Sequence, residues 1–297
     1  MEKNIEKSII YNSNAYHETK KHTDTMFAYN VYPCTIPLDF SFVPMHWQDS
    51  AELIYIKEGE GFIQVDLETF TASSGDIFIV MPGHLHGIRG LSGKTMKYEN
   101  IIFDLDFIGS NTIDLCSQKY WQPLLSEKIS LPVCISPEHS LHPSLSACLD
   151  ESDRLCDQRP EGYELAVKGL LMIFFSQLFG YAGNISHDSH KHTQKLKEVF
   201  TYLEEHFDQK LTVEKMACRC GYSASHFMRW FKEMTGVGFN AYLIEYRLNR
   251  AAHELRAGNQ TILSIAEKSG FDNLSNFNRL FKKKFGITPS QFRRKYS

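Results

Sequence analysis

The chain has 297 residues, of which 42% are hydrophobic and 23% charged. That composition is ordinary for a globular protein, is long enough for two domains with a core each, and excludes a disordered or fibrous chain. The net charge of -3 hides an asymmetry: residues 193–297 hold 18 Lys and Arg against 10 Asp and Glu, and the rest of the chain holds 14 against 25. A basic C-terminal part on an acidic body implies a polyanionic partner for that part alone.

The opening stretch, MEKNIEKSII, has charges on both sides of a very short apolar run. It cannot supply the apolar core of a secretory signal, so the expected location is cytoplasmic. Seven widely spread cysteines then read as reduced thiols. Cys218 and Cys220 lack the second pair of a zinc site and read as small buried side chains.

Residues 1–133 are β-rich. ELIYIKEGEGFIQVDLETF and GDIFIVMPGHLHGI are runs of strand-forming residues separated by turn residues, as in a small barrel or sandwich. Residues 134–184 read as two helices with apolar stripes at Leu141, Leu145, Leu149 and Leu155, and at Ala166, Leu170, Phe174 and Leu178. One stripe is expected to cover the barrel and another to face a second copy of the chain. The apolar run Gly169 to Gly183 is shorter than the roughly 20 residues of a membrane helix, so no membrane partner is expected. Residues 185–193 form a polar connector; His187, His190 and His192 there read as linker residues rather than a metal site.

From residue 194 onward the chain repeats itself. Thr212, Ala217, Gly221 and Tyr222 match Thr261, Ala266, Gly270 and Phe271 at an offset of 49; one residue is inserted, and Phe227, Arg229, Phe231, Lys232, Gly236 and Tyr246 match Phe277, Arg279, Phe281, Lys282, Gly286 and Tyr296 at an offset of 50. Each copy predicts a Thr-capped short helix, a glycine turn, and a second helix opened by Ser223 or Asp272. The apolar positions of the second helices are Ala224, Phe227, Trp230, Phe231 and Met234, then Leu274, Phe277, Leu280, Phe281 and Phe285. Their opposite faces are polar and basic. Such pairs are helix-turn-helix units, at 212–235 and 261–285. Between them, 239–257 predicts one helix ended by Gly258, about 28 Å long at 1.5 Å per residue. That length suits two reading heads in successive major grooves, about 34 Å apart.

These last hundred residues, ending in the pattern GF-x9-F-x4-G-x2-P-x2-[FY]-R, resemble the AraC/XylS-type bacterial transcription regulators. The resemblance implies base contacts from Ser225, Met228 and Arg229 in the first recognition helix and from Ser275, Asn276 and Arg279 in the second. Arginine grips guanine and asparagine grips adenine bidentately, whereas Met228 offers an apolar contact. Lys232, Arg250, Lys282 and Lys283 are expected at phosphates or in solvent.

In the N-terminal part, His46, Gln48, Glu52 and Gly59, followed by Gly75, Gly83 and His86, resemble the two motifs of the cupin barrel. Gln48 stands where metal-binding cupins have a second histidine. His46, Glu52 and His86 remain as a two-histidine, one-carboxylate set able in principle to hold a metal. The preferred expectation is an effector pocket of His46, Trp47, Glu52 and His86 that binds by hydrogen bonds, with no metal and no cofactor.

The expected architecture is therefore multidomain α and β: a cupin-like barrel, a helical dimerisation segment, and an all-α domain with two helix-turn-helix motifs. The expected function is a homodimeric, sequence-specific regulator bound to double-stranded DNA and responsive to a small-molecule effector, a sugar or a related metabolite, with no catalytic residue. The alternatives are a metal-dependent cupin enzyme fused to a DNA-binding domain and a helical adaptor without a DNA role.

Overall fold

The structure, a computed structural model, describes residues 17–296 except 19–21, 24–25, 40–41, 67, 110–113, 185–186 and 258–259, and for 17, 184, 187–193 and 257 it describes the backbone only. Two compact units divide at residues 190 and 191.

In the first unit, β2 (Tyr29–Ile36), β3 (Phe42–Gln48), β4 (Ala51–Val65), β5 (Glu68–Ser73), β6 (Ile77–Val80), β7 (His86–Gly90) and β8 (Met96–Phe103) form the body. The 15-residue β4 runs through two sheets. Its first half pairs antiparallel with β6 and β8, and its second half with β5 and β7. A register shift between Ile56 and Glu58 marks the passage from one to the other, as a bulge bends a strand.

Alternation along β4 sends Ile54 and Ile56 into the core between the sheets, where they meet Val43, Phe78, Val80, Ile88, Met96 and Tyr98. Leu53 and Tyr55 face the other way, into a core shared with two helices, α3 (His142–Gln158) and α4 (Tyr163–Leu178). Before them come α1 (Leu105–Ile108) and α2 (Gln122–Leu125). Lys57 at the bend of β4 ties the sheet to α3, lying 2.9 Å from Glu99, 3.0 Å from Asp150 and 3.7 Å from Asp153.

The buried stripe of α4 is Val167, Leu171, Phe174, Phe175 and Leu178, one residue round the helix from the predicted stripe at its N-terminal end. Ala166 is exposed and Leu170 half-buried, while Val167 and Leu171 are turned into the core. Leu165, Met172 and Ile173 are exposed instead. The segment Tyr163–Tyr181 is 19 residues long and, by length and composition only, apolar enough to cross a membrane. The predicted run from Gly169 missed its first turns, YELAVK. Its buried face belongs to the core of this unit.

The second unit is helical: α5 (His187–His206), α6 (Val213–Cys220), α7 (Ala224–Thr235), α8 (Phe239–Ala257), α9 (Ile262–Lys268), α10 (Leu274–Phe285) and α11 (Pro289–Tyr296). The connector expected at 185–193 is helical from His187 onward. Residues 187–193 contain neither Gly nor Pro, and Asp188 lies in the first turn, where the helix dipole favours an anion. Residues 185–186, and the side chains of His187, His190 and His192, lie outside the description.

All seven cysteines are free; Cys220 is buried as expected but Cys218 is exposed. Cys218 sits two positions before Cys220 on α6, too far round the helix to share its buried face.

Candidate functional site

The recognition helices α7 and α10 each have 12 residues, and Arg229 and Arg279 occupy the same, sixth, position. Each helix is anchored from beneath. Phe227 and Phe231, and Phe277 and Phe281, are fully buried. The rings of Phe231 and Tyr242 stand 5.3 Å apart at 83°, and those of Phe281 and Phe292 stand 5.3 Å apart at 86°. Two copies of one packing arrangement thus present two polar faces in the same register.

The outer faces carry every base-contact residue expected from sequence. Ser225, Met228 and Arg229 are exposed, as are Ser275, Asn276 and Arg279. In the second copy Arg279 Nη2 donates to Asn276 Oδ1 at 2.8 Å. Lys232, Lys282 and Lys283 are exposed as well. Arg250 differs: it is half-buried, with its guanidinium over the Phe207 ring at 5.5 Å.

Caps fix where the helices begin. Ser223 Oγ accepts from His226 N at 3.2 Å, and Asn273 Oδ1 accepts from Asn276 N at 2.9 Å. The cap of α10 is therefore Asn273, not the predicted Asp272. The residue inserted between the copies lies in the turn, so Gly270 is followed by one residue more than Gly221 before its cap. Leu274, predicted in the core, is 37% exposed in the first turn of the helix.

In the first unit, β3 and β7 pair so that His46 and His86 are direct cross-strand neighbours, with ring centroids 4.2 Å apart. Glu52 projects beside them from β4. His86 Nε2 lies 3.0 Å from Glu52 Oε2, and Gln48 Nε2 donates to the same oxygen at 2.8 Å. Two backbone carbonyls hold the rings: His46 Nδ1 lies 2.9 Å from Pro44 O, and His86 Nδ1 lies 3.0 Å from His84 O.

All of these residues are buried. Burial and the neighbouring His86 lower the pKa of His46. On His86 burial also opposes charge, but the Glu52 carboxylate outweighs it and raises the pKa.

Two residues join this cluster that sequence did not single out. Glu18, on β1 (His17–Glu18), comes to β3 by parallel pairing opposite Gln48. Its Oε2 lies 3.5 Å from His46 Nε2, and its Oε1 lies 2.9 Å from His22 Nε2. Burial acts to raise the Glu18 pKa, yet His22 and His46 hold it below the usual range. Trp47, by contrast, is not brought in. Alternation along β3 turns it away from the face of His46 and Gln48.

A duplicated helix-turn-helix module that follows, along the chain, a β-domain with a buried polar cluster defines a DNA-binding regulator with a sensing domain. Residues 37–174 match the AraC-like ligand binding domain, and residues 216–295 match the helix-turn-helix domain. The transposon Tn10 TetD protein of Escherichia coli is 42% identical over 107 residues, 36% of this chain and 78% of that protein. The right origin-binding protein of Escherichia coli K12 is 39% identical over 99 residues, 33% of this chain; the match spans only 34% of that protein's length. YdeC of Bacillus subtilis, named an HTH-type transcriptional regulator, is 20% identical over 280 residues, 93% of this chain and 95% of that protein. The chain belongs to the AraC-type family of transcriptional regulators.

Proposed function

We propose that this regulator reads an asymmetric DNA site of two successive major grooves and answers to an effector bound inside its β-domain. Its place is the cytoplasm, with the DNA. The observation that carries the first half is the equivalent placement of Arg229 and Arg279, exposed at the sixth position of two recognition helices with matching cores. Ser225, Met228 and Arg229 read one groove, and Ser275, Asn276 and Arg279 read the other. Lys232, Lys282 and Lys283 contact phosphates and set the salt dependence; Arg250 contributes there only through its exposed edge.

The two reading faces differ in chemistry, with Met228 opposite Asn278 in the repeat, so each protomer binds directionally. A homodimer then favours repeated half-sites. The exposed apolar residues of α4, Leu165, Met172 and Ile173, are the surface we assign to the second copy.

The buried cluster of His46, Glu52 and His86 supports an effector site, with Trp47 excluded from it. A sugar or a related metabolite would use the polar atoms of this cluster as hydroxyl partners. Effector binding biases the presentation of the DNA-binding units between two states.

Selection of bound fragments from random DNA, with and without candidate ligands, tests the whole proposal. A bipartite motif whose enrichment changes with ligand is expected. Retention of DNA without sequence preference at every salt concentration would refute sequence-specific regulation.

A further inference from the structure

Asn276 has a counterpart in the first copy that lies outside the set of base readers expected there. His226 is the third residue of α7 as Asn276 is of α10, and both helices run for 12 residues. The backbone N–H of each is held by its own cap, His226 by Ser223 Oγ at 3.2 Å and Asn276 by Asn273 Oδ1 at 2.9 Å. Both residues are exposed. With cores and caps in one register, the two side chains leave matched helices at the same point.

They are fixed by different means. Asn276 accepts from Arg279, so in the second copy one reader steadies another. The His226 imidazole instead lies on the Tyr222 ring, with centroids 4.2 Å apart and planes at 43°. Tyr222 meets the buried Trp230 edge-on at 5.3 Å, and the Lys195 ammonium lies 4.3 Å from its centroid. Lys195 also donates to Cys220 O at 2.9 Å, so α5 and the turn before α7 build this stack together. In the second copy Phe271, at the place of Tyr222, is buried and packs on Phe277 at 5.1 Å. An exposed ring held on a rooted aromatic gives up little freedom when it binds, which is what a specificity contact requires.

We infer that His226 is a base-reading residue of the first recognition helix, positioned by Tyr222, and that it reads guanine where Asn276 reads adenine. Guanine shows two acceptors, O6 and N7, in the major groove, whereas adenine shows the N7 acceptor beside an amino donor. An amide carries a donor and an acceptor together and matches adenine. An imidazole presents one nitrogen to a base edge, and as a donor it matches guanine. The inference rests on the DNA reading proposed above and adds His226 to Ser225, Met228 and Arg229.

The test takes the full-length parent and variants through selection from random DNA, then measures each on duplexes that carry the parent's motif with every base pair changed in turn. His226→Asn should shift the preferred base from guanine to adenine at one pair read by the first copy, distinct from the pair that Arg229→Ala relaxes. Asn276→His should do the converse at a pair read by the second copy. His226→Ala should lower discrimination at the first of these pairs about five- to tenfold, as loss of one hydrogen bond to a base does, with the urea midpoint unchanged. Tyr222→Leu should weaken discrimination at that same pair by freeing the ring; a merely structural Tyr222 would lower affinity for all sequences alike.

If His226→Ala and His226→Asn rank every duplex as the parent does, the inference is overturned, and Arg229→Ala relaxing its own pair would leave the DNA reading standing. A uniform loss of affinity in both His226 variants would overturn it as well, since that is the mark of a phosphate contact. A parent that selects no motif would remove the reading and the inference together.

Discussion

The two helix-turn-helix copies share a skeleton and differ where they meet their surroundings. Both recognition helices end on a left-handed glycine, Gly236 at φ 76° and Gly286 at φ 77°. Both second-helix cores use the same aromatic pair, Phe227–Phe231 at 5.6 Å and Phe277–Phe281 at 5.5 Å. The turns diverge. Gly221 has open space where a Cβ would sit, whereas at Gly270 a Cβ would meet Phe207 O at 2.6 Å and Arg247 Nε at 2.7 Å. Arg247 belongs to α8 and donates to Phe207 O and Gln209 O, both at 2.7 Å, so the second turn is wedged against the stretch after α5. The linking helix is therefore shared. It completes the core of the first copy with Tyr242 and opens that of the second with Leu248, Ala251 and Leu255.

The sharpest way to break the likeness is to empty each core in turn. Phe231→Ala and Phe281→Ala should each cost about 3–5 kcal/mol by urea unfolding, because each removes a buried ring from a matched aromatic cluster. Nearly equal losses are expected. If one variant lost less than half as much as the other, the two cores would not be energetic equivalents. The turns should respond unequally. Gly221→Ala bears only the left-handed backbone at φ 69°, about 1–2 kcal/mol. Gly270→Ala bears φ 80° and the contact with a backbone oxygen as well, and should be clearly the more destabilising of the two. On DNA, Arg229→Ala and Arg279→Ala should each relax preference at one base position by about 1–3 kcal/mol, at different positions of the bipartite motif. Competition binding with single-base variants of the site measures this; unchanged discrimination in both would remove the arginines from base reading.

How much of this was legible follows from the range of each interaction. The repeat declared itself because helical spacing and caps are local, and the 49-to-50 change of offset even announced the inserted residue. Its location in the turn was not announced, since Asp272 and Asn273 can both cap and only the pairing of Asn273 with Ser223 in the helix register decides. In the β-domain the spacing of His46, Glu52 and His86 marked three residues that the sheet does bring together. Trp47 misled because an aromatic beside a histidine reads as a pocket wall until strand alternation is imposed. Glu18 and His22 were invisible: they sit in a polar segment, HETKKHTD, with no periodicity, and reach the cluster only through the parallel pairing of β1 with β3. Non-local pairing of that kind leaves no trace in a local pattern.

The smallest expected effect probes one substitution within the repeat itself. Met234 in the first copy is buried, and its counterpart 50 residues on is Lys284, whose ammonium lies 2.9 Å from Glu245 of α8. Burial lowers the Lys284 pKa, with Glu245 opposing that fall. The pair is partly exposed, with side-chain exposures of 24% and 45%, so its Coulomb gain is screened and worth about 0–1 kcal/mol. Placing methionine there makes the second copy match the first and removes a desolvated cation. Lys284→Met should therefore change stability by no more than about 1 kcal/mol, with either sign small, while Glu245→Ala alone should cost more than the Lys284→Met/Glu245→Ala double change because it strands the ammonium. Urea unfolding of the three variants completes the cycle. A loss above about 2 kcal/mol in Lys284→Met would mean that the ion pair, not the shared aromatic skeleton, fixes the second recognition helix on α8.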